Sequence, residues 1–429
     1  MTRTLTLLTL AVVLGLLARN GLAIWAHVPL DPNEGWNAAL ALRWLAGGPL
    51  YPPRASLMVN NYPPLSFYLV AALTKTTGDA VVAGRIIALT AFGCVCAGLF
   101  LAARRMGARP WSAGLGALFF AAMLLVASDY VGIDDPQLLG HAVQMAALLA
   151  LLRGNVVAAA LLFAASLFIK HNLVALPLAA ALWLAARDHR AAARFVAAGL
   201  AAGGAGLLLF QFIHGQSLLA HIAAPRLSSF ANLLAAVSHL WWAALPLPAM
   251  RRAPPLIQVY AAVSLLLGLV FSAGDGVDAN AFFDLAIALS LALALARPLL
   301  AVVAPLPLLA FLTLHWSDNN FFFSRDFAAQ SARDIAFLQT HPGPALCSQL
   351  SLCLWAGKGA QVDVFNIGEA ILSGARDPAA LVRLIEARHF SVLQLDDMNA
   401  LGPVVRDAIA RRYRADHTDD NGRFLTPAP

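Results

Sequence analysis

Asp31-Pro32-Asn33-Glu34 follows the first apolar segment of the chain, and Glu34 is the only glutamate before Glu369. Carboxylates at the mouth of a hydrocarbon-spanning segment are costly and tend to mark sites. Asp at an N-cap, Pro at the first helical position and Glu at the third make a capping box, which is the structural use of such a run. The chemical use is a general base that takes a proton from a hydroxyl. A cap would be served equally well by Gln, so Glu34 suits the chemical use better than Asp31 does.

A second carboxylate pair, Asp134-Asp135, stands at the mouth of a later apolar run that Pro136 opens. Asp135 could serve as the cap of that helix, yet two adjacent carboxylates exceed what a cap requires. Like charges there raise each other's pKa unless a cation or donor is near. A divalent metal held by Asp134 and Asp135, or a substrate bound to them, would relieve this. Lys170-His171-Asn172 interrupts the apolar stretch from Val156 to Ala186. Its structural use is snorkelling to the interface; its chemical use is to hold an anion such as a lipid-linked phosphate. Arg226 is the second candidate for that anion. His141, His214, His221 and His239 lack metal-ligand spacing. No P-loop, dinucleotide fingerprint, nucleophile elbow or zinc-protease motif is present, which argues against those chemistries.

The elements that must position these residues are membrane spans. Of 429 residues, 60% are hydrophobic and 12% charged, against about a quarter charged in soluble domains. Net charge is +6, carried almost wholly by Arg, with Lys only at Lys75, Lys170 and Lys358. No basic patch interleaved with aromatics points to nucleic acid; membrane lipids are the expected partner of the basic loops. Apolar runs predict about eleven spans of roughly 20 residues, near 5–27, 80–103, 111–128, 136–152, 155–169, 172–186, 195–213, 232–250, 255–273, 282–296 and 298–315. The 155–186 pair could instead be a tight hairpin. The first run is long enough to be an uncleaved helix rather than a signal peptide. Arg104, Arg105, Arg109, Arg187, Arg190, Arg194, Arg251 and Arg252 fall in alternate loops, which places the N-terminus inside. Nearly all acidic residues of the membrane part fall on the other side.

Residues 28–79 form a first outer loop, with a short amphipathic helix expected over Asn37 to Leu45 at the interface and another opening at Pro63-Pro64. Residues 1–317 are the membrane module. From 318 to 429 charge rises and alternation sets in, predicting a soluble α/β domain on the outer side. Strands are expected at 345–348, 362–365 and 392–395, and helices at 378–388 and 404–413. Cys347 and Cys353 lie there, where oxidation is allowed; the sequence leaves their pairing open. Cys94 and Cys96 lie within a span and are read as packing residues.

These motifs, in this order and on one side, resemble the GT-C superfamily of membrane glycosyltransferases. The nearest branch is the family 39-like one of lipid A aminoarabinose transferase and protein O-mannosyltransferase. The residues that carry the resemblance are Asp31 to Asn37, then Asn60-Asn61-Tyr62-Pro63-Pro64-Leu65, then Asp134-Asp135-Pro136, with Gly276 to Phe283 similar to a late outer loop. The resemblance implies an α-helical polytopic GT-C-like bundle with a small C-terminal α/β domain, located in the bacterial cytoplasmic membrane with its site facing the periplasm. It implies transfer of a sugar from a polyprenyl-phosphate donor to a lipid, glycan or protein acceptor. In that reaction a first-loop carboxylate is the base, and Asn61, Tyr62, Asp134, Asp135, Lys170, His171, Asn172 and Arg226 bind substrate. The family has Asp directly before its Glu, where this chain has Asn33, so the base is either Glu34 or Asp31. Many relatives have Lys before the Pro-Pro pair, where this chain has Tyr62; Lys170 would then supply the phosphate-binding cation. Two other readings compete. A secondary transporter or lipid-linked sugar flippase would place charged, broken helices at mid-membrane, and a catalytically inactive GT-C-like assembly protein would keep the fold alone.

Overall fold

The computed structural model describes residues 2–215, 217–223 and 226–429. Its first half runs α1 (Thr2–Ala23), α2 (Pro32–Leu45), α3 (Leu65–Thr77), α4 (Ala80–Arg105), α5 (Pro110–Ala127), α6 (Gln137–Leu152), α7 (Val156–Leu167), α8 (Ala175–Ala185) and α9 (His189–His214). The second half of the bundle is α10 (Ser217–Ile222), α11 (Phe230–Ser238), α12 (Pro255–Phe271), α13 (Phe283–Leu295), α14 (Pro298–Val303) and α15 (Leu306–Leu314). Starts follow local chemistry. Asp79 caps α4 by accepting from the N–H groups of Val81 and Val82 at 2.8 and 3.2 Å, and Pro110 and Pro255 sit where a missing N–H costs nothing.

Among the described residues, α1, α4, α5 and α9 are each long and apolar enough to cross a membrane. Helices α6, α7, α8, α12 and α13 are apolar but shorter. The expected span at 232–250 is α11 followed by 3-10 turns at His239–Ala243 and Leu247–Arg252. Pro246 and Pro248 lack the N–H groups a continuous helix would need there. Pro305 likewise separates α14 from α15. The hairpin alternative for 155–186 fails: α7 packs on α6 and α9, and α8 packs on α9 and α12.

Beyond α16 (Trp316–Asn320), the C-terminal region comprises α17 (Arg325–Thr340), β1 (Ala345–Cys347), α18 (Leu350–Trp355), α19 (Val364–Leu372), α20 (Ala379–Glu386), β2 (Val392–Leu395), α21 (Gly402–Arg412), β3 (Tyr413–Asp419) and β4 (Gly422–Pro427). The sheet order is β1-β2-β4-β3, with β1 and β2 parallel and the other pairs antiparallel. The strand expected at 362–365 is instead the start of α19, capped by Asp363, whose carboxylate accepts from Asn366 N at 3.0 Å. The β3–β4 hairpin lay outside the sequence expectations, although Asn421-Gly422 is a turn signal. Cys347 and Cys353 are joined in a disulfide that bridges β1 and α18.

Helix α2 is longer than expected, and its first part is enclosed by protein. Residues Glu34 through Ala41 are buried, because α2 is wedged among α3, α4 and α18. The approach is close: a Cβ on Gly35 would lie 2.1 Å from Ser351 N. The C-terminal region is also tied to the bundle by Trp355 Nε1, which donates to Asp79 Oδ2 at 2.9 Å, and by Asp363 N, which donates to Leu57 O at 2.8 Å.

Candidate active site

The wedge leaves a cavity of about 510 Å³ between the first loop and the C-terminal region. Asp31, Asn33 and Trp36 form part of its wall, with Asn61 and Tyr62 from the same loop. Tyr130, Arg226 and Asp278 come from other loops of the bundle. Asp363, Asn366, Asp396 and Asp397 complete it from the C-terminal region. The sequence singled out Asp31, Asn61, Tyr62 and Arg226, but not the C-terminal wall, whose residues meet the first loop only through folding.

Asp31 is the N-cap of α2: its Oδ1 accepts from Asn33 N at 2.7 Å. Among the described residues, no hydrogen bond is made to its Oδ2. Burial pushes the Asp31 carboxyl up to about 7, against the pull of the Asn33 N–H, and nearby Glu34, Asp135 and Asp278 add to the rise. A carboxylate with a pKa near neutrality is suited to proton transfer.

Glu34 lies underneath, fully buried and outside the cavity wall. Arg85 of α4 donates to it twice, Nε to Oε1 at 2.6 Å and Nη2 to Oε2 at 2.7 Å. Glu34 also accepts from Leu30 N at 3.1 Å. Arg85 goes on to donate to the carbonyls of Ala23, Ala26 and Val28, at 2.9, 2.8 and 2.6 Å. Both oxygens of Glu34, the other residue expected as a possible base, are thus engaged by a buried guanidinium, and the side chain does not line the cavity. Arg85 went unnoticed in the sequence, although a lone Arg inside the apolar run 80–103 was the signal for it.

Lys170 is likewise spoken for. Its Nζ lies 2.9 and 3.1 Å from the two oxygens of Asp135 and 4.8 Å from the Tyr62 ring centre. Both members of the pair are buried, and neither lines the cavity. Lys170, expected to hold an anion, is thus paired with a carboxylate in this structure. Asp135 also caps α6 by accepting from Gln137 N at 2.7 Å. Asp134 lines one small recess with Asp135 and packs so tightly on α4 that a Cβ on Gly84 would lie 1.9 Å from its Cγ. Burial pushes Asp134 well above the carboxylate range, and Glu34 and Asp135 add to this. Among the described residues, the grouping with metal-ligand geometry is Asp334, His417 and Asp419.

His171 is exposed and Asn172 half-buried; Asn172 lines a separate small recess with Gln137 and Asp284. Neither reaches the main cavity. Arg226 does. Its Nη1 donates to Asp275 O at 2.8 Å, and its guanidinium lies 5.6 Å from the Phe365 ring centre. Asn61 Nδ2 donates to Asn366 Oδ1 at 3.2 Å, joining the first loop to α19.

No protein-family model and no curated protein sequence matches the chain. Among solved structures, ArnT from Cupriavidus metallidurans bound to undecaprenyl phosphate is similar, with a TM-score of 0.64 at 16% identity over 98% of this chain and 97% of that one. The same ArnT in the apo state gives 0.64 at 15% identity over the same shares. The chain has an ArnT-like, GT-C-like fold. Such coverage spans both the bundle and the C-terminal region, so the ArnT-like architecture includes the domain that closes the cavity. It is a polytopic membrane protein with a small α/β region at its C-terminus.

Proposed function

We propose that the protein is a membrane glycosyltransferase that moves a sugar from a polyprenyl-phosphate donor to an acceptor hydroxyl or amine at the outer face of the bacterial cytoplasmic membrane. The observation that carries this reading is the cavity of about 510 Å³, lined by both Asp31 and Arg226, between the bundle and the C-terminal region. The ArnT structure bound to undecaprenyl phosphate supports the donor class, and the charge asymmetry of the loops supports the orientation.

In this reading Asp31 takes the acceptor proton on its free Oδ2. The acceptor atom then bonds to the anomeric carbon, and the bond from that carbon to the phosphate oxygen breaks. The lipid phosphate leaves with the electron pair, and Arg226 stabilises its charge. A phosphate leaving group needs no proton, so one base and one cation suffice. Glu34 and Arg85 hold α2 and the preceding loop in place, and Lys170 and Asp135 hold the floor under Tyr62.

Incubating purified protein with radiolabelled polyprenyl-phosphate sugars and candidate lipid, glycan and protein acceptors tests this. Label should move to an acceptor, and Asp31→Asn should lower the transfer by about 10²–10⁴. Movement of intact labelled lipid across vesicles without transfer would favour a flippase. Binding without transfer from any donor would favour an inactive relative.

A further inference from the structure

Outside the cavity lining, Asp334 of α17 meets His417 and Asp419 of β3, their ligand atoms all within 4.8 Å of one another. His417 and Asp419 are two apart on a strand and so project to one face. His417 Nε2 lies 3.4 Å from Asp334 Oδ1 and 4.0 Å from Asp419 Oδ2. Those separations are long for charge-assisted hydrogen bonds, which sit near about 2.7–2.9 Å. Ligand atoms placed about 2.1 Å from a tetrahedral ion stand roughly 3.4 Å apart.

The surroundings hold each ligand in that pose. The imidazole stacks on Phe424 with ring centres 4.4 Å apart and takes the edge of Phe337 at 4.8 Å. Its other nitrogen, Nδ1, lies 3.5 Å from Asp416 Oδ2. Asp334 is held from behind by buried Asn421, whose Nδ2 donates to its Oδ2 at 2.6 Å. The side chains of His417 and Asp419 are 34% and 22% exposed, which leaves the fourth position open to water.

We propose that Asp334, His417 and Asp419 bind a divalent transition cation of the zinc class. One nitrogen, two carboxylates and an open position suit Zn²⁺. The ion would staple α17, the first long helix after the bundle, to the terminal β3–β4 hairpin. This inference is independent of the glycosyltransferase reading.

The test uses tag-free full-length protein in detergent, stripped with EDTA and titrated with Zn²⁺, with bound metal and thermal melting followed. Wild type should hold one more Zn²⁺ per chain than Asp419→Asn, and should melt higher with Zn²⁺ than without. Asn421→Ala, which keeps all three ligands, should weaken that Zn²⁺ by about 10–100-fold. Equal Zn²⁺ content and equal melting shifts in wild type and Asp419→Asn would overturn the site. So would a wild type that retains no Zn²⁺.

Discussion

Arg85 holds Glu34 through two nitrogens at 2.6 and 2.7 Å, with neither side chain exposed to solvent. The carbonyls of Ala23, at the end of α1, and of Ala26 and Val28 beyond it accept from the same guanidinium. The pair therefore fixes the path from α1 into α2, and Asp31 lies on that path. Removing one partner of such a buried pair typically costs about 3–5 kcal/mol, because the other charge is left uncompensated.

Glu34→Gln is accordingly expected to lower the melting temperature and the folded yield sharply. Asp31→Asn should leave both near wild type, since Asn caps about as well as Asp, while lowering transfer by about 10²–10⁴. Melting in detergent beside a single-turnover transfer assay separates the two effects. A stable Glu34→Gln that has lost activity would return the base to Glu34.

The pH profile follows from Asp31, raised to about 7 by burial first and by its acidic neighbours next. The base must be ionised, so kcat/KM should fall about tenfold per pH unit below that value and level off above it. The stability effect has the opposite sense. A folded-state carboxyl pKa above the unfolded value makes the folded protein bind the extra proton between about 4 and 7. Stability thus declines as pH rises through that window and is constant above it. Asp31→Asn should flatten this component of the melting profile; an unchanged profile in the variant would assign the titration to another group.

Arg226 and Lys170 should respond differently to loss of charge. Arg226 is exposed and lines the cavity, so Arg226→Ala should raise KM for the lipid-linked donor about tenfold with little change in melting. Lys170→Met strands buried Asp135 and should lower the melting temperature instead. Pairing it with Asp135→Asn should recover part of that loss. Donor titrations and melting curves on the same preparations check both; a donor-specific KM effect in a fully stable Lys170→Met would restore Lys170 to the anion site.

Gly35→Ala tests the contact that closes the cavity. An added Cβ would meet Ser351 N at 2.1 Å and Leu350 C at 2.7 Å, both backbone atoms. Alanine normally favours a helix over glycine, so a destabilised or inactive variant must reflect displacement of α18 from α2. Loss on the order of 10²-fold in transfer is expected from a shift of this kind. Gly15→Ala is the control, because a Cβ there meets open space; equal, small effects from both changes would mean the contact is dispensable.

Composition and apolar runs determined the membrane character of the chain, the C-terminal change to α/β, and most helix positions, because hydrocarbon leaves the backbone few alternatives to helix. The places of Asp31 and Arg226 beside apolar runs were enough to nominate them, and Tyr62 was nominated by the family resemblance. Partner choice among the charges was not legible. Glu34 and Lys170 looked like reactive groups until Arg85, 51 residues away, and Asp135, 35 residues away, were seen to neutralise them. Pairing depends on which helices pack side by side, and packing angles are set by side chains on several helices at once. The same holds for the C-terminal wall of the cavity: Asp363 and Asp396 look like ordinary surface carboxylates in the sequence, and only the docking of the C-terminal region on the first loop brings them into one cavity with Asp31.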